Sequence, residues 1–131
     1  MIGYEWISKD LVLALHEEQL SEHGGPEGVR DMAALESALE RPKDMFANDE
    51  CADPAILAAA YAYEIAKNNP FLDGKKRVAF LSAELFLKLN GFQLAANDKD
   101  CAVTMIRLAD GTLPESDLVK WFQTNIKPAE I

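Results

Sequence analysis

The stretch Lys67–Gly91, KNNPFLDGKKRVAFLSAELFLKLNG, decides how the chain is read. From Val78 onward its apolar residues recur at helical spacing, and Asn90-Gly91 carries the signature of a left-handed helix cap. The residue before Pro70 is pushed out of the helical region, so an earlier helix ends near Asn68 and Asn69. Between the two helices lies the short turn PFLDG, and the second helix opens with Lys75, Lys76 and Arg77 in a row. Helix N-termini carry partial positive charge and disfavour cations there by ~0.3–1 kcal/mol each when exposed. The chain nevertheless sets its densest knot of cations at that point while carrying a formal net charge of −9. A bound anion would reconcile the two.

The flanking sequence reads as further helices. Ser8 or Asp10 caps a helix through LVLALHEEQLSEH, with Leu11, Val12 and Leu15 as its core stripe, and Gly24-Gly25-Pro26 stops it. Asp31 caps MAALESALER, with Leu35, Ala38 and Leu39 inward, and Pro42 ends it. KDMFANDECAD reads as a polar, irregular connection carrying Phe46. Asp53-Pro54 is a helix start, with Asp as cap and Pro at the first helical position. The helix AILAAAYAYEIAKNN is rich in alanine, which lets neighbours approach closely. Asn97 or Asp98 caps DCAVTMIRLAD, closed by Gly111, and Pro114 or Ser116 opens a last helix, DLVKWFQTNIK. Strand signals are confined to YEWIS and GFQL. Trp6, Tyr61, Tyr63, Phe80, Phe86, Trp121 and Phe122 fall on apolar stripes and read as core. The expectation is an all-α bundle in one domain over residues 1–131, with minor short strands at most.

Bulk properties narrow the function. The 131 residues, 49% hydrophobic and 27% charged, suit a folded domain with a real core. No apolar run approaches the ~18–20 residues of a membrane span. The N-terminal MIGYEWISKD lacks a basic n-region, so a cytoplasmic setting is expected. The acidic balance argues against direct nucleic-acid binding, because phosphate backbones attract cationic faces. Cys51 and Cys101 have no metal-ligand spacing and read as reduced, packed thiols.

The basic knot therefore carries the chemistry. Gly74 lets the backbone close around an oxygen, and the N–H groups of the helix start form an anion site reinforced by Lys76 and Arg77. Asp73 is a carboxylate beside that site, which makes sense if it holds a divalent cation shared with phosphates. Phe71 plugs into the core and fixes the turn. The bland alternative is a solvated basic patch countering an acidic surface. Placement at the helix start, directly after Pro-Phe-x-Asp-Gly, favours the phosphate cradle.

PFLDGKKR resembles the HPFxDGNKR motif of the Fic/Doc superfamily, and the chain looks like a member of its death-on-curing (Doc) branch. RDMAALESALERP, at Arg30–Pro42, resembles the RDxxxLESALxRP stretch of Doc-type proteins. WISKDLVLALHEEQLSEHGGPEGVR, AAAYAYEIAKNNPF and FLSAELFLKLNGF are similar to the family's first helix and central helix pair. The resemblance implies a compact helical bundle whose motif loop binds ATP with Mg2+. It places Gly74, Lys75, Lys76 and Arg77 at the phosphates, Asp73 at the metal, and position 69, Lys76 and Arg77 in catalysis. It further implies a toxin that phosphorylates a threonine of elongation factor Tu and so arrests translation. A prevents-host-death-type antitoxin would silence it, and no self-inhibitory [S/T]xxxE[G/N] sequence occurs. RPKDMFANDE corresponds to the region where Fic-type proteins carry a target-docking flap, with Met45 and Phe46 as clamp residues or simply packed on the bundle.

Two positions depart from the family pattern. Asn69 stands where the motif has the histidine that takes the proton from the target hydroxyl, and a neutral amide offers no titratable acceptor near pH 7. Lys75 stands where the motif has asparagine and adds a cation to the cradle. The histidines present, His16 and His23, have no motif context; His16 reads as a surface or half-buried helix residue. Glu17, Glu18 and Glu22 nearby read as solvated charge. The expectation is an attenuated phosphotransferase. The alternatives are a catalytically silent binding module of the same fold and an AMP transferase.

Overall fold

Helix starts in this chain are written by short polar side chains. The computed structural model describes residues 4–23, 31–49, 53–68 and 75–129. Within them run α1 (Lys9–His23), α2 (Met32–Asp49), α3 (Pro54–Asn68), α4 (Lys75–Leu89), β1 (Phe92–Leu94), α5 (Asp98–Asp110), α6 (Glu115–Asn125) and β2 (Ile126–Pro128). Ser8 Oγ accepts the Leu11 N–H at 3.2 Å, which selects Ser8 over Asp10 as the α1 cap. Asp31 Oδ1 accepts from Ala34 at 3.0 Å, and Asp53 Oδ1 from Ala55 at 2.9 Å with Pro54 first in α3. Asn97, rather than Asp98, caps α5 through the Asp100 N–H at 2.8 Å. Pro114 precedes α6 without a side-chain cap bond. Gly91 and Gly111 close α4 and α5 at φ +86 and +75. A Cβ at either would meet nothing within 4 Å, so glycine is favoured there by backbone conformation alone. The Gly24-Gly25-Pro26 stop lies outside the described residues.

Helix α3 is the centre. Ala55, Ala58, Ala59, Ala62 and Ala66 are buried along it, and α2, α4 and α6 all pack against it. Small side chains allow that close approach, as the alanine run implied. Leu35, Ala38 and Leu39 of α2 face inward as expected, and Tyr61, Phe86 and Phe122 are fully buried. Phe80 is nearly so, while Trp6, Tyr63 and Trp121 pack half-buried at the margin.

Four expectations are corrected. Pro42 does not end α2, which continues to Asp49. An interior proline removes one backbone hydrogen bond and costs ~3 kcal/mol. Packing offsets it here: Met45 and Phe46 lie against the core, and the Phe46 ring sits 5.5 Å from Tyr4 and 5.6 Å from Trp6. Most of the supposed irregular connection, and of the flap-like segment, is therefore helix.

The stripe on α1 is turned relative to expectation. Val12 and His16 are buried and Leu11 is 41% exposed. In LVLAL leucines occupy several faces, so periodicity could not choose among them. His16 is consequently core-facing, at 3% exposure.

Tyr4–Ser8 forms no strand. Its backbone groups are taken up by side chains instead: Glu5 N–H donates to Asn90 Oδ1 at 2.7 Å, and Asn90 Nδ2 donates to Glu5 O at 3.0 Å. The Ile7 N–H donates to the Tyr61 hydroxyl at 3.1 Å.

The partner of GFQL comes from the end of the presumed last helix. β1 pairs antiparallel with β2, with Phe92 opposite Pro128 and Leu94 opposite Ile126. Pro128 pushes Lys127 out of the helical region, and Ile126 already sits extended at φ −90, ψ 140. Among the described residues no helix is long and apolar enough to cross a membrane.

The buried Tyr61 makes the fold alkali-sensitive in a defined way. Desolvation pushes its phenol up from 10.0 to about 12, partly opposed by the Ile7 hydrogen bond. The folded state therefore holds this proton where the unfolded chain releases it. The contribution is complete below pH 10 and is lost as pH rises from there towards about 12. Urea unfolding at a series of alkaline pH values should show this fall, and Tyr61→Phe should remove that component. The same variant lowers stability at neutral pH by ~1–3 kcal/mol, because the Ile7 N–H loses its acceptor.

Candidate functional site

Two anchored helix ends bracket the motif. On the α3 side, Ile65 and Ala66 are buried, and the side-chain amide of Asn68, the last helical residue, donates to the Ala34 carbonyl of α2 at 3.3 Å. On the α4 side, Val78, Ala79 and Phe80 are buried at once, so the core fixes the first turn of the helix. The six residues between these ends, Asn69 to Gly74, lie outside the described residues, and with them Asn69, Phe71, Asp73 and Gly74. Lys75 and Lys76 are the first two residues of α4, and Arg77, the third, is half-buried.

The first turn of α4 contains no acidic residue. The dipole of a helix start, equivalent to roughly +0.5 elementary charge, is joined in that turn by three cationic residues and opposed by no carboxylate of the turn. This donor set fits a polyphosphate, which accepts many hydrogen bonds at high charge density. Such a chain could share a divalent cation with one carboxylate, since Mg2+ keeps several waters and needs few protein oxygens. Among the described residues no group of three or more His, Cys, Asp or Glu side chains is gathered for a metal. Glu17 and Glu18 are exposed on α1, as a solvated face requires, and Cys101 is a free, half-buried thiol.

One polar cluster near the site went unread in the sequence. Arg41, next to Pro42 on α2, makes a bidentate pair with Glu115 in the first turn of α6, at 2.5 and 3.0 Å, and reaches Glu64 of α3 at 3.1 Å. The Glu115 hydrogen bond leads in raising the guanidinium pKa. The cluster ties α2, α3 and α6 together one turn before the α3 terminus. Its only sequence trace is the Arg-Pro closing RDMAALESALERP, and nothing there names the partners, which lie 23 and 74 positions on.

The helices α3 and α4, between which the motif falls in sequence, are the core pair that the Fic/Doc resemblance singles out. A sequence model of the Fic/DOC family matches residues 6–87, from Trp6 into the last turn of α4, and the chain belongs to that family. It is 35% identical over 88 residues to the protein named "Protein kinase doc" of Escherichia phage P1, covering 67% of this chain and 70% of that protein. It is 39% identical over 75 residues to "Toxin Doc" of Mycolicibacterium smegmatis, covering 56% of this chain and 58% of that one. The family match ends before β1, so α5, α6 and the small sheet lie beyond it.

Proposed function

We propose that the loop between α3 and α4 binds the phosphates of ATP with Mg2+, and that the protein is a Doc-type toxin whose phosphotransferase activity is attenuated by Asn69. One observation carries this reading: a helix start fixed by the core, three cationic residues in a first turn free of carboxylates, directly after Asp73-Gly74. In this reading Gly74, Lys75, Lys76 and Arg77 hold the phosphates, and Asp73 shares the magnesium with them. When bound, the ion would supply charge neutralisation to the phosphates. Lys76 and Arg77 also stabilise the charge that develops during transfer, while Asn69 occupies the place of the proton acceptor. The names of the relatives support a kinase and toxin lineage. By the family resemblance, the target is a threonine of elongation factor Tu in the cytoplasm, and the inhibitor is a prevents-host-death-type antitoxin.

A second reading has a specific residue in its favour. Asn69 cannot act as general base, so the fold could serve as a silent binding module that holds nucleotide or antitoxin. Transfer of AMP rather than phosphate is separated from both by following α- and γ-labelled ATP.

Titration calorimetry with ATP and Mg2+ tests the site itself. The chain should bind, and Lys76→Ala with Arg77→Ala should weaken binding by roughly a hundredfold or more, since each lost charge-assisted bond is worth ~1.5–3 kcal/mol. Circular dichroism of the double variant establishes that the bundle is intact. Equal heats before and after substitution would leave the basic triplet as surface charge only.

A further inference from the structure

Helix α5 turns a face to solvent that its own stability does not explain. Thr104 and Leu108 are its buried residues and set it on the bundle. On the opposite side Val103 and Ile106 are 49% and 52% exposed, more than any other large apolar side chain among the described residues. Both are β-branched, which lowers helix propensity, so neither is there to favour the helix. Lys99 lies one turn before Val103 and Asp110 one turn after Ile106, and both are exposed. At about 100° per residue these four side chains fall in a stripe roughly 60° wide. The two charges are set against the helix dipole, a cation in the first turn and an anion in the last. Among the described residues neither is in an ion pair.

We propose that this stripe is an interface with a second copy of the chain, α5 packing antiparallel on α5 about a twofold axis. The stripe is its own complement. Its spacings are four, three and four residues, the pattern of a short coiled-coil seam. Reversal about the point between Thr104 and Met105 lays Val103 on the partner's Ile106 and Lys99 on the partner's Asp110. Each contact then occurs twice, as an isologous interface requires. The flanks agree. On one side lie Asp100 and Arg107, and reversal brings Arg107 beside the partner's Asp100. On the other lie Ala102 and Ala109, whose small side chains let two helices approach closely. Lys99, Asp100, Arg107 and Asp110 sum to zero charge, so two chains of net charge −9 can meet on neutral ground. Antiparallel helices also bring opposite dipole ends together, which relieves the misplaced charges of both. A partner of unrelated sequence needs no such symmetry in the stripe; a second copy does. The 13 residues of α5 span only about 20 Å, so the contact is small against the ~1,200–2,000 Å2 of stable complexes. The dimer is therefore weak and forms with concentration. Helix α5 lies beyond the family match, and this association is independent of the nucleotide reading.

Analytical ultracentrifugation of the full chain, from micromolar to millimolar concentration, tests the proposal. The parent chain should pass from the mass of one chain towards that of two as concentration rises. Ile106→Asp should hold it at one, with helix content unchanged by circular dichroism. Lys99→Asp and Asp110→Lys should each weaken dimerisation by about fivefold or more, because two exposed ion pairs become two like-charge contacts. Both substitutions suit the dipole of α5 itself, so the melting temperature of the dilute chain should hold or rise while association falls. A purely local role for these charges would not part the two readouts in that way. Mixed in equal amounts, the two charge variants should pair with each other more tightly than either pairs with itself, since each carboxylate then faces an ammonium. A parent chain that stays single at every concentration overturns the proposal and leaves the stripe to a different protein. Dimers that ignore all three substitutions, or charge variants that do not associate on mixing, overturn it as well, because the contact then lies elsewhere or in another register.

Discussion

Asn69→His gains phosphate transfer, by ~10²–10⁴-fold over the parent chain, because that is the usual worth of a positioned general base. The substitution alters neither flank of the loop: α3 still ends on the Asn68–Ala34 bond and α4 still starts on Val78–Phe80. Nucleotide affinity should therefore change little while turnover rises, which separates repair of chemistry from repair of binding. The rate should climb with pH through about 6.5, the ordinary imidazole value, because only the neutral ring accepts a proton. Two measurements decide it, phosphate incorporation into elongation factor Tu and growth arrest on induction. Adding Lys75→Asn restores the family pattern at the first residue of α4, and its main effect should be on magnesium dependence. If both variants bind ATP with Mg2+ and neither transfers phosphate nor arrests growth, the silent binding module becomes the better account.

Local chemistry was legible and tertiary choice was not. Asp31, Asp53, Gly91 and Gly111 act where their side chains, or the lack of one, require a helix to begin or end. Ser8 against Asp10, and Asn97 against Asp98, stood as alternatives because either residue of each pair has the right oxygen; only hydrogen-bond geometry separates them. Pro42 misled because its local cost is real, while the compensation comes from Tyr4 and Trp6, some forty residues earlier in the chain. The pairing of Phe92–Leu94 with Ile126–Pro128 has no local signature, since three-residue strands carry too little pattern to show a period. For the site, the helix start and its cations were readable because sequence neighbours compose them. The Arg41 cluster was not, because it is assembled from different helices.

Phe86→Ala should be among the most destabilising single changes in the bundle, at about 3–5 kcal/mol. Phe86 is fully buried near the end of α4. Its ring lies 5.2 Å from Tyr61, 5.6 Å from Tyr4 and 5.7 Å from Trp6, so it touches the central helix and the N-terminal segment at once. Tyr4 and Trp6 in turn hold Phe46, and Phe46 sits in the part of α2 that continues past Pro42. Truncation thus leaves a cavity under the contacts that offset an interior proline, and the cost should exceed simple loss of transfer energy. Phe86→Leu, which keeps most of the volume, should cost distinctly less. Urea unfolding of the three proteins measures this, with the slope against denaturant showing whether the transition stays two-state. Hydrogen exchange adds the local readout: amides of residues 43–49 should lose protection in Phe86→Ala before those of the α3 interior. Equal stability of the alanine and leucine variants, or undiminished protection over 43–49, would mean that α2 beyond Pro42 is held by something other than this aromatic chain.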